Sequence, residues 1–429
     1  MDSPVGAAQI HHPGQPTLPV PTPLSPAAER PWLRQAIQSL HSIPASRRRD
    51  LQPFLPSEGP CIQLDSCRTA APQALLDLAS NDYLGLSRHA DVVTAAQEAA
   101  AHAGVGAGAS RLVTGTRPVH MQLEVSLAAW LGRHRALLFP SGFQANLAAV
   151  QALADRHSVV IADRLIHHSL LTGVRASGAR LQRFRHNDLV HLETLLGRAR
   201  RRAPQQRLLV LSESLFSMEG TSPDVQALAA LCERFGAALV LDEAHALGVL
   251  GPGGAGLGHG IGSIALICGT FGKAFGSGGA FLAGDDPVID WLLQSSGAFR
   301  YTTALAPPLA AAALAALRLI QRRQRSHLGS LGGLNLPSRA RRWRDALEAA
   351  GWRRPPGEGP ILPLLVGSDE RALALQRRLE AAGLLAVAIR PPTVPEGGAR
   401  LRLVLRADLP RGTLKRLLAA LGAPEASRP

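Results

Sequence analysis

Ala238-Leu239-Val240-Leu241-Asp242-Glu243-Ala244-His245 is an apolar run that closes on two acids and an imidazole. Four consecutive apolar residues without alternation read as a strand buried on both faces, as in parallel sheets covered by helices. The pattern repeats on either side. Expected strands at 136–139, 158–161, 180–184, 208–212, 264–268 and 279–282, most of them apolar, alternate with helical stretches at 144–153, 189–200 and 225–235. The expected fold is α/β, a mainly parallel seven-stranded sheet with helices on both faces. Upstream, Leu123, Leu127, Trp130 and Leu131 recur at helical spacing and are expected to pack on it.

Downstream of Pro307-Pro308 the chain changes character. An Ala-rich helix, a Gly/Pro stretch at 329–337 and an Arg-rich helix lead to strands at 361–366 and 401–405, with a helix at 371–382 stopped by Gly383. This reads as a smaller C-terminal α+β domain. The expected division is a disordered Pro-rich extension at 1–30, an N-terminal segment at 31–80, a large domain at 81–310 and a small one at 311–429.

The chain has 429 residues, and 46 basic against 32 acidic side chains give a formal charge of +14. Such a charge raises the question of nucleic acid. The arginine clusters at 47–49, 198–202 and 339–344 lack interleaved aromatics for base stacking, and a small anionic ligand explains the sign equally well. No nucleic-acid partner is expected. Asp242-Glu243-Ala244-His245 also spells a helicase box, but the phosphate loop such a site needs is missing around Gly272-Lys273, where Ile267 and Ala274 break it. No export signal or bilayer-spanning run is seen, and the four cysteines form no C-x-x-C pair, so a cytoplasmic protein with free thiols is expected.

Only two of the basic residues are lysines, Lys273 and Lys415. Guanidinium neither forms a Schiff base nor deprotonates, so a lysine kept in an arginine-dominated chain is a candidate for covalent chemistry. Lys273 lies in Thr270-Phe271-Gly272-Lys273-Ala274-Phe275-Gly276, just past a strand. Three other segments also lie at strand ends, where ligands of open α/β sheets bind. Ser141-Gly142-Phe143-Gln144-Ala145-Asn146 opens a helix and suits a phosphate, or is simply a capped helix start. Asp242 could hold a pyridinium N–H with His245 beside the phenolic oxygen of the same ring. His167 could stack on an aromatic cofactor, and Ser217 could donate to its ring oxygen. The pair His167-His168 has no further metal-ligand spacing, and no metal is expected.

These segments, with Asn81-Asp82-Tyr83-Leu84-Gly85-Leu86 and Gly104 to Gly115, resemble the pyridoxal phosphate-dependent α-oxoamine synthases of aminotransferase fold type I. Ala388-Ile389-Arg390-Pro391-Pro392-Thr393-Val394-Pro395 and Ala399-Arg400-Leu401-Arg402-Leu403 are similar to the biotin-pathway branch of that group. The resemblance implies pyridoxal 5'-phosphate as cofactor and the condensation of L-alanine with pimeloyl-CoA or a pimeloyl carrier protein, with loss of carbon dioxide. It implies Lys273 as the Schiff-base lysine, Asp242 at the ring nitrogen and His167 stacked on the ring. It further implies His245 and Ser217 near the phenolic oxygen, and Gly142, Phe143 and Thr270 at the phosphate. Arg390, with Asn81 nearby, would take the amino-acid carboxylate and Thr393 would contact substrate. Arg49 would meet the far carboxylate of the acyl chain. A homodimer is implied, with Thr302 and Thr303 reaching the phosphate of the partner.

Overall fold

The structure, a computed structural model, describes residues 30–64, 74–325 and 336–424. The disorder expected for 1–30 falls, but for Arg30, outside the described residues. Two compact units divide the chain after Asp50. In the first, the helix Pro31–His41 starts on a proline at its first turn, where a missing N–H costs nothing, and a 3-10 turn follows at Ala45–Arg47.

Among the described residues the second unit holds three sheets. Strands β1 (Phe54–Pro56), β2 (Cys61–Leu64) and β3 (Ala74–Asp77) come first, followed by β4 (Arg135–Phe139), β5 (Val159–Asp163), β6 (Arg180–Phe184), β7 (Leu208–Glu213), β8 (Ala238–Asp242), β9 (Ile264–Thr270) and β10 (Ala280–Gly284). The chain ends with β11 (Ile361–Gly367), β12 (Leu384–Leu385), β13 (Val387–Ile389) and β14 (Ala399–Val404). The large sheet has seven strands in the order β4-β10-β9-β8-β7-β5-β6. All its pairings are parallel except those of β10, which runs against both β4 and β9.

Because side chains alternate across a strand, each apolar run feeds two cores. Val160, Leu209, Leu211, Val240 and Cys268 pack against the helices Gly142–Leu153 and His168–Ser177. Val159, Ile161, Val210, Leu239 and Leu241 pack on the other face, with the helices Leu189–Arg202 and Val225–Arg234. Strand β9 runs two residues beyond the expected 264–268. Gly269 permits this, since a Cβ there would meet the Phe281 ring at 2.3 Å.

The boundary expected at 310/311 falls inside the helix Pro307–Arg325, which shares a core with Leu123, Leu127 and Trp130 of the helix Pro118–Leu131. Conversely, β3 of the expected N-terminal segment pairs in parallel with β12. Sheet β11-β14-β13 is packed by the helices Leu336–Ala349, Asp369–Ala381 and Thr413–Leu421.

Candidate active site

The alternation that fills the cores also decides what meets at the strand ends. Continuing each strand in steps of two places Glu213, Asp242 and Thr270 on the face that carries the helix Gly142–Leu153. Ser141 caps that helix, its Oγ accepting from the Gln144 N–H at 3.3 Å. The first amides of a helix have no acceptor within it, which leaves the N–H groups of Gly142 and Phe143 for an anion. Thr270 Oγ1 is 3.9 Å from where a Cβ on Gly142 would stand, and Gln144 Nε2 donates to Thr302 Oγ1 at 3.1 Å. Two hydroxyls therefore border the helix start. Phe143 and Thr303 are exposed.

Lys273 is mounted on the connection between antiparallel β9 and β10. Phe271 N–H donates to Gly279 O, Ser277 N–H to Phe271 O and Gly276 N–H to Lys273 O, all at 2.9 Å, while Thr270 Oγ1 donates to Gly279 O at 3.0 Å. Gly276 is left-handed, with φ +64°, and a Cβ there would meet Ser87 N at 2.2 Å. Burial lowers the pKa of the Lys273 amine, opposed by the Asp242 and Glu213 carboxyls. Burial, and then the nearby Asp242, push the Glu213 carboxyl well up.

Asp242 and His167 are joined through protein atoms. Asn146 Nδ2 donates to Asp242 Oδ2 at 2.7 Å and to Ser169 Oγ at 3.0 Å, and Ser169 Oγ lies 2.7 Å from His167 Nδ1. Desolvation lowers the pKa of His167, with Asp242 opposing and Lys273 and His168 adding to the fall.

On the other side, Tyr83 Oη and His245 Nδ1 are 2.6 Å apart. Burial lowers the imidazole pKa well below its usual value and raises that of the phenol, so both are neutral. Arg402 on β14 reaches the same place: its Nε donates to Ser217 O at 2.7 Å and its Nη2 to Asn81 Oδ1 at 3.0 Å. Its charge acts on Lys273 and His245. Arg400, two residues earlier, donates to Met218 O at 3.1 Å and pairs with Glu219.

Lys273, Asp242, His167, His245, Asn81, Ser217, Thr270 and the helix start at 142–143 thus gather around one rim. Arg390 follows β13, and the N–H of Thr393 donates to its carbonyl at 3.1 Å. A guanidinium that donates to Asn81 is that of Arg402. Arg49 follows the turn Ala45–Arg47 in the first unit. Thr302 is bonded to Gln144 of its own chain. Tyr83, Asn146, Ser169 and Arg402 were not singled out from the sequence. Tyr83 carried a signal, being one of only two tyrosines and lying beside Asn81.

The donor set fits pyridoxal phosphate. It offers a helix start with hydroxyls for the phosphate, a carboxylate for the ring nitrogen, and an amine whose neutral form burial favours. The family model for class I and II aminotransferases matches residues 73–421. An 8-amino-7-oxononanoate synthase of Gluconacetobacter diazotrophicus is 46% identical over 357 residues, covering 81% of this chain and 87% of that protein. Another from Anaeromyxobacter dehalogenans is 42% identical over 397 residues, covering 91% and 95%. Among solved structures, a lysine-to-alanine variant of a serine palmitoyltransferase of S. paucimobilis with a bound PLP–myriocin aldimine superposes with a TM-score of 0.79 at 26% identity, covering 91% of this chain and 96% of that one. The chain belongs to the pyridoxal phosphate-dependent class I and II aminotransferase family and, within it, to the family of the 8-amino-7-oxononanoate synthases.

Proposed function

We propose that this protein condenses L-alanine with a pimeloyl thioester, releasing carbon dioxide and the thiol of coenzyme A or of a carrier protein, to give 8-amino-7-oxononanoate. The observation that carries this reading is the Lys273 amine, held at the same rim as Asp242 and pushed toward its neutral form by burial. The names of the 42–46% identical relatives support the substrate pair.

Pyridoxal phosphate, when bound, supplies the electron sink that stabilises negative charge at the substrate α-carbon, first after loss of the proton and again after loss of carbon dioxide. Thr270 and the amides at 142–143 would hold its phosphate, Asp242 would keep its ring nitrogen protonated, and His167 would cover its ring. Lys273 would hold the cofactor and, as a neutral amine, would take the α-proton of L-alanine and later return a proton to the same carbon. Arg402 receives the alanine carboxylate, with Asn81 fixing the guanidinium. Thr393 contacts substrate. The working unit is a homodimer in the cytoplasm. Among the described residues no helix is long and apolar enough to cross a membrane.

The test is thiol release by the purified protein loaded with pyridoxal phosphate. L-alanine with pimeloyl-CoA is expected to give turnover, and glycine or serine with acetyl-, succinyl- or palmitoyl-CoA is not. Faster turnover with any of those pairs would reassign the substrate.

A further inference from the structure

The chain Asp242–Asn146–Ser169–His167 fixes its own hydrogen positions. A carboxylate oxygen only accepts, so the group that Asn146 turns toward Asp242 Oδ2, 2.7 Å away, is its NH2. The second hydrogen of that NH2 goes to Ser169 Oγ at 3.0 Å. With one lone pair so engaged, the Ser169 hydroxyl has its own proton to place, and His167 Nδ1 lies 2.7 Å away. The Ser169 backbone N–H points at the same nitrogen, at 3.3 Å. Nδ1 therefore faces two donors and accepts, and the ring proton is on Nε2. Asn146 and Ser169 are buried, at 2% and 0% exposure, so water does not compete for these bonds. Asn146 Oδ1 is buried with no partner, which shows that the amide is oriented by its NH2 alone.

We infer that Asn146 and Ser169 are positioning residues that hold His167 as the Nε2–H tautomer and tie its ring to Asp242. This deepens the proposed function and rests on it for the chemistry, though not for the tautomer. Protonating Nδ1 requires the Ser169 hydroxyl to turn away, so the relay opposes the charged imidazole. The other groups acting on the ring are Asp242, which favours the charge, and Lys273 and His168, which disfavour it, while Glu213 accepts from the backbone N–H of His167 and not from its ring. Removing the hydroxyl raises the pKa of His167. Activity that needs the neutral ring then loses its acid limb at a higher pH.

The experiment uses full-length protein labelled with 15N-histidine, with and without pyridoxal phosphate, His167→Gln serving to assign the ring signals. In the parent the Nδ1 signal is expected to be that of an acceptor and Nε2 that of an N–H. In Ser169→Ala the two signals are expected to move toward each other as the tautomers mix, and in Ser169→Thr to stay apart. In the loaded enzyme Ser169→Ala is expected to lower kcat about tenfold, a usual cost of losing a group that orients a histidine, with the acid limb moved up in pH and KM for L-alanine little changed. If Ser169→Ala does not fold, Asn146→Ala is read in the same way. Ring signals and a pH profile unchanged from the parent would overturn the inference. Ring signals that shift in a protein inactive with L-alanine and pimeloyl-CoA would uphold it and sink the proposed substrates instead.

Discussion

Arg402 and Arg406 stand four residues apart and are equally buried, at 7% and 8% exposure, yet their surroundings differ in kind. Arg406 meets Asp77 at 3.1 Å, Asp408 at 2.8 Å and Asp82 at 3.5 Å. Its charge is spent within the protein. Arg402 is held by the Ser217 carbonyl and the Asn81 amide oxygen, neutral acceptors that orient a guanidinium without neutralising it. A buried charge left in that state is costly unless an anion arrives, which is why Arg402 belongs to a site and Arg406 to the fabric. The same contrast separates His120, whose ring nitrogens are both bonded to backbone groups of Leu305 and Arg117, from His167, whose Nε2–H is left for a ligand.

The largest effect should come from the group that the Arg402 charge serves. Lys273→Ala is expected to lower turnover by about 10⁴-fold, the upper end of what a positioned base supplies, with little change in melting temperature. Turnover at the parental rate would mean that the rim beside Arg402 is not where the reaction occurs. Arg406→Ala should instead strike the fold, costing about 3–5 kcal/mol in denaturant unfolding because Asp77 and Asp82 are left facing each other without their counter-charge. Arg402→Ala should split the other way. We expect KM for L-alanine to rise by roughly 100-fold, equivalent to about 2–3 kcal/mol of lost carboxylate binding, with less loss of stability than in Arg406→Ala. Equal destabilisation by the two substitutions would erase the distinction.

The smallest expected effect concerns His120. Desolvation and the nearby Arg111 and Arg117 charges lower its pKa from 6.5 to about 4, against the hydrogen bond to Leu305. A base whose folded pKa is depressed contributes stability that is complete above 6.5 and is lost as the pH falls from there through 4. At pH 6 the loss is about 1 kcal/mol. Thermal melts of the parent and of His120→Gln at pH 8 and pH 6 check it, the parent alone being expected to lose this increment.

The interior of the large sheet was legible because β7, β8 and β9 are covered on both faces and write themselves as apolar runs, unlike the edge strand β6, which is mostly exposed, and Asp242 and Lys273 were legible because they follow such runs directly. Arg402 was not. Three arginines, Arg390, Arg400 and Arg402, lie near β13 and β14, and their neighbours in sequence do not reveal which one reaches Asn81. That depends on the pairing of β14 with β11 and β13, where Leu401 stands opposite both Leu364 and Ala388. Asn146 and Ser169 were hidden for a related reason. Inside a helix and at the start of one, they look like ordinary polar positions until two helices and a strand end bring them to Asp242. The boundary expected at 310/311 falls inside the helix Pro307–Arg325 because an Ala-rich helix gives no hint of which core it joins.

The antiparallel course of β10 has one more consequence. A parallel connection would need a dozen or more residues, and its length could drift. Between Thr270 and Ala280 only nine intervene, and they close on themselves through the bonds at Phe271, Gly276 and Ser277. Such a ring has no slack. One inserted residue adds about 3.3–3.6 Å of contour, enough to carry the Lys273 amine off its target while every side chain of the rim keeps its identity. Spacing in this stretch thus matters as much as the lysine itself, and a deletion or insertion here should be as damaging as the loss of the amine.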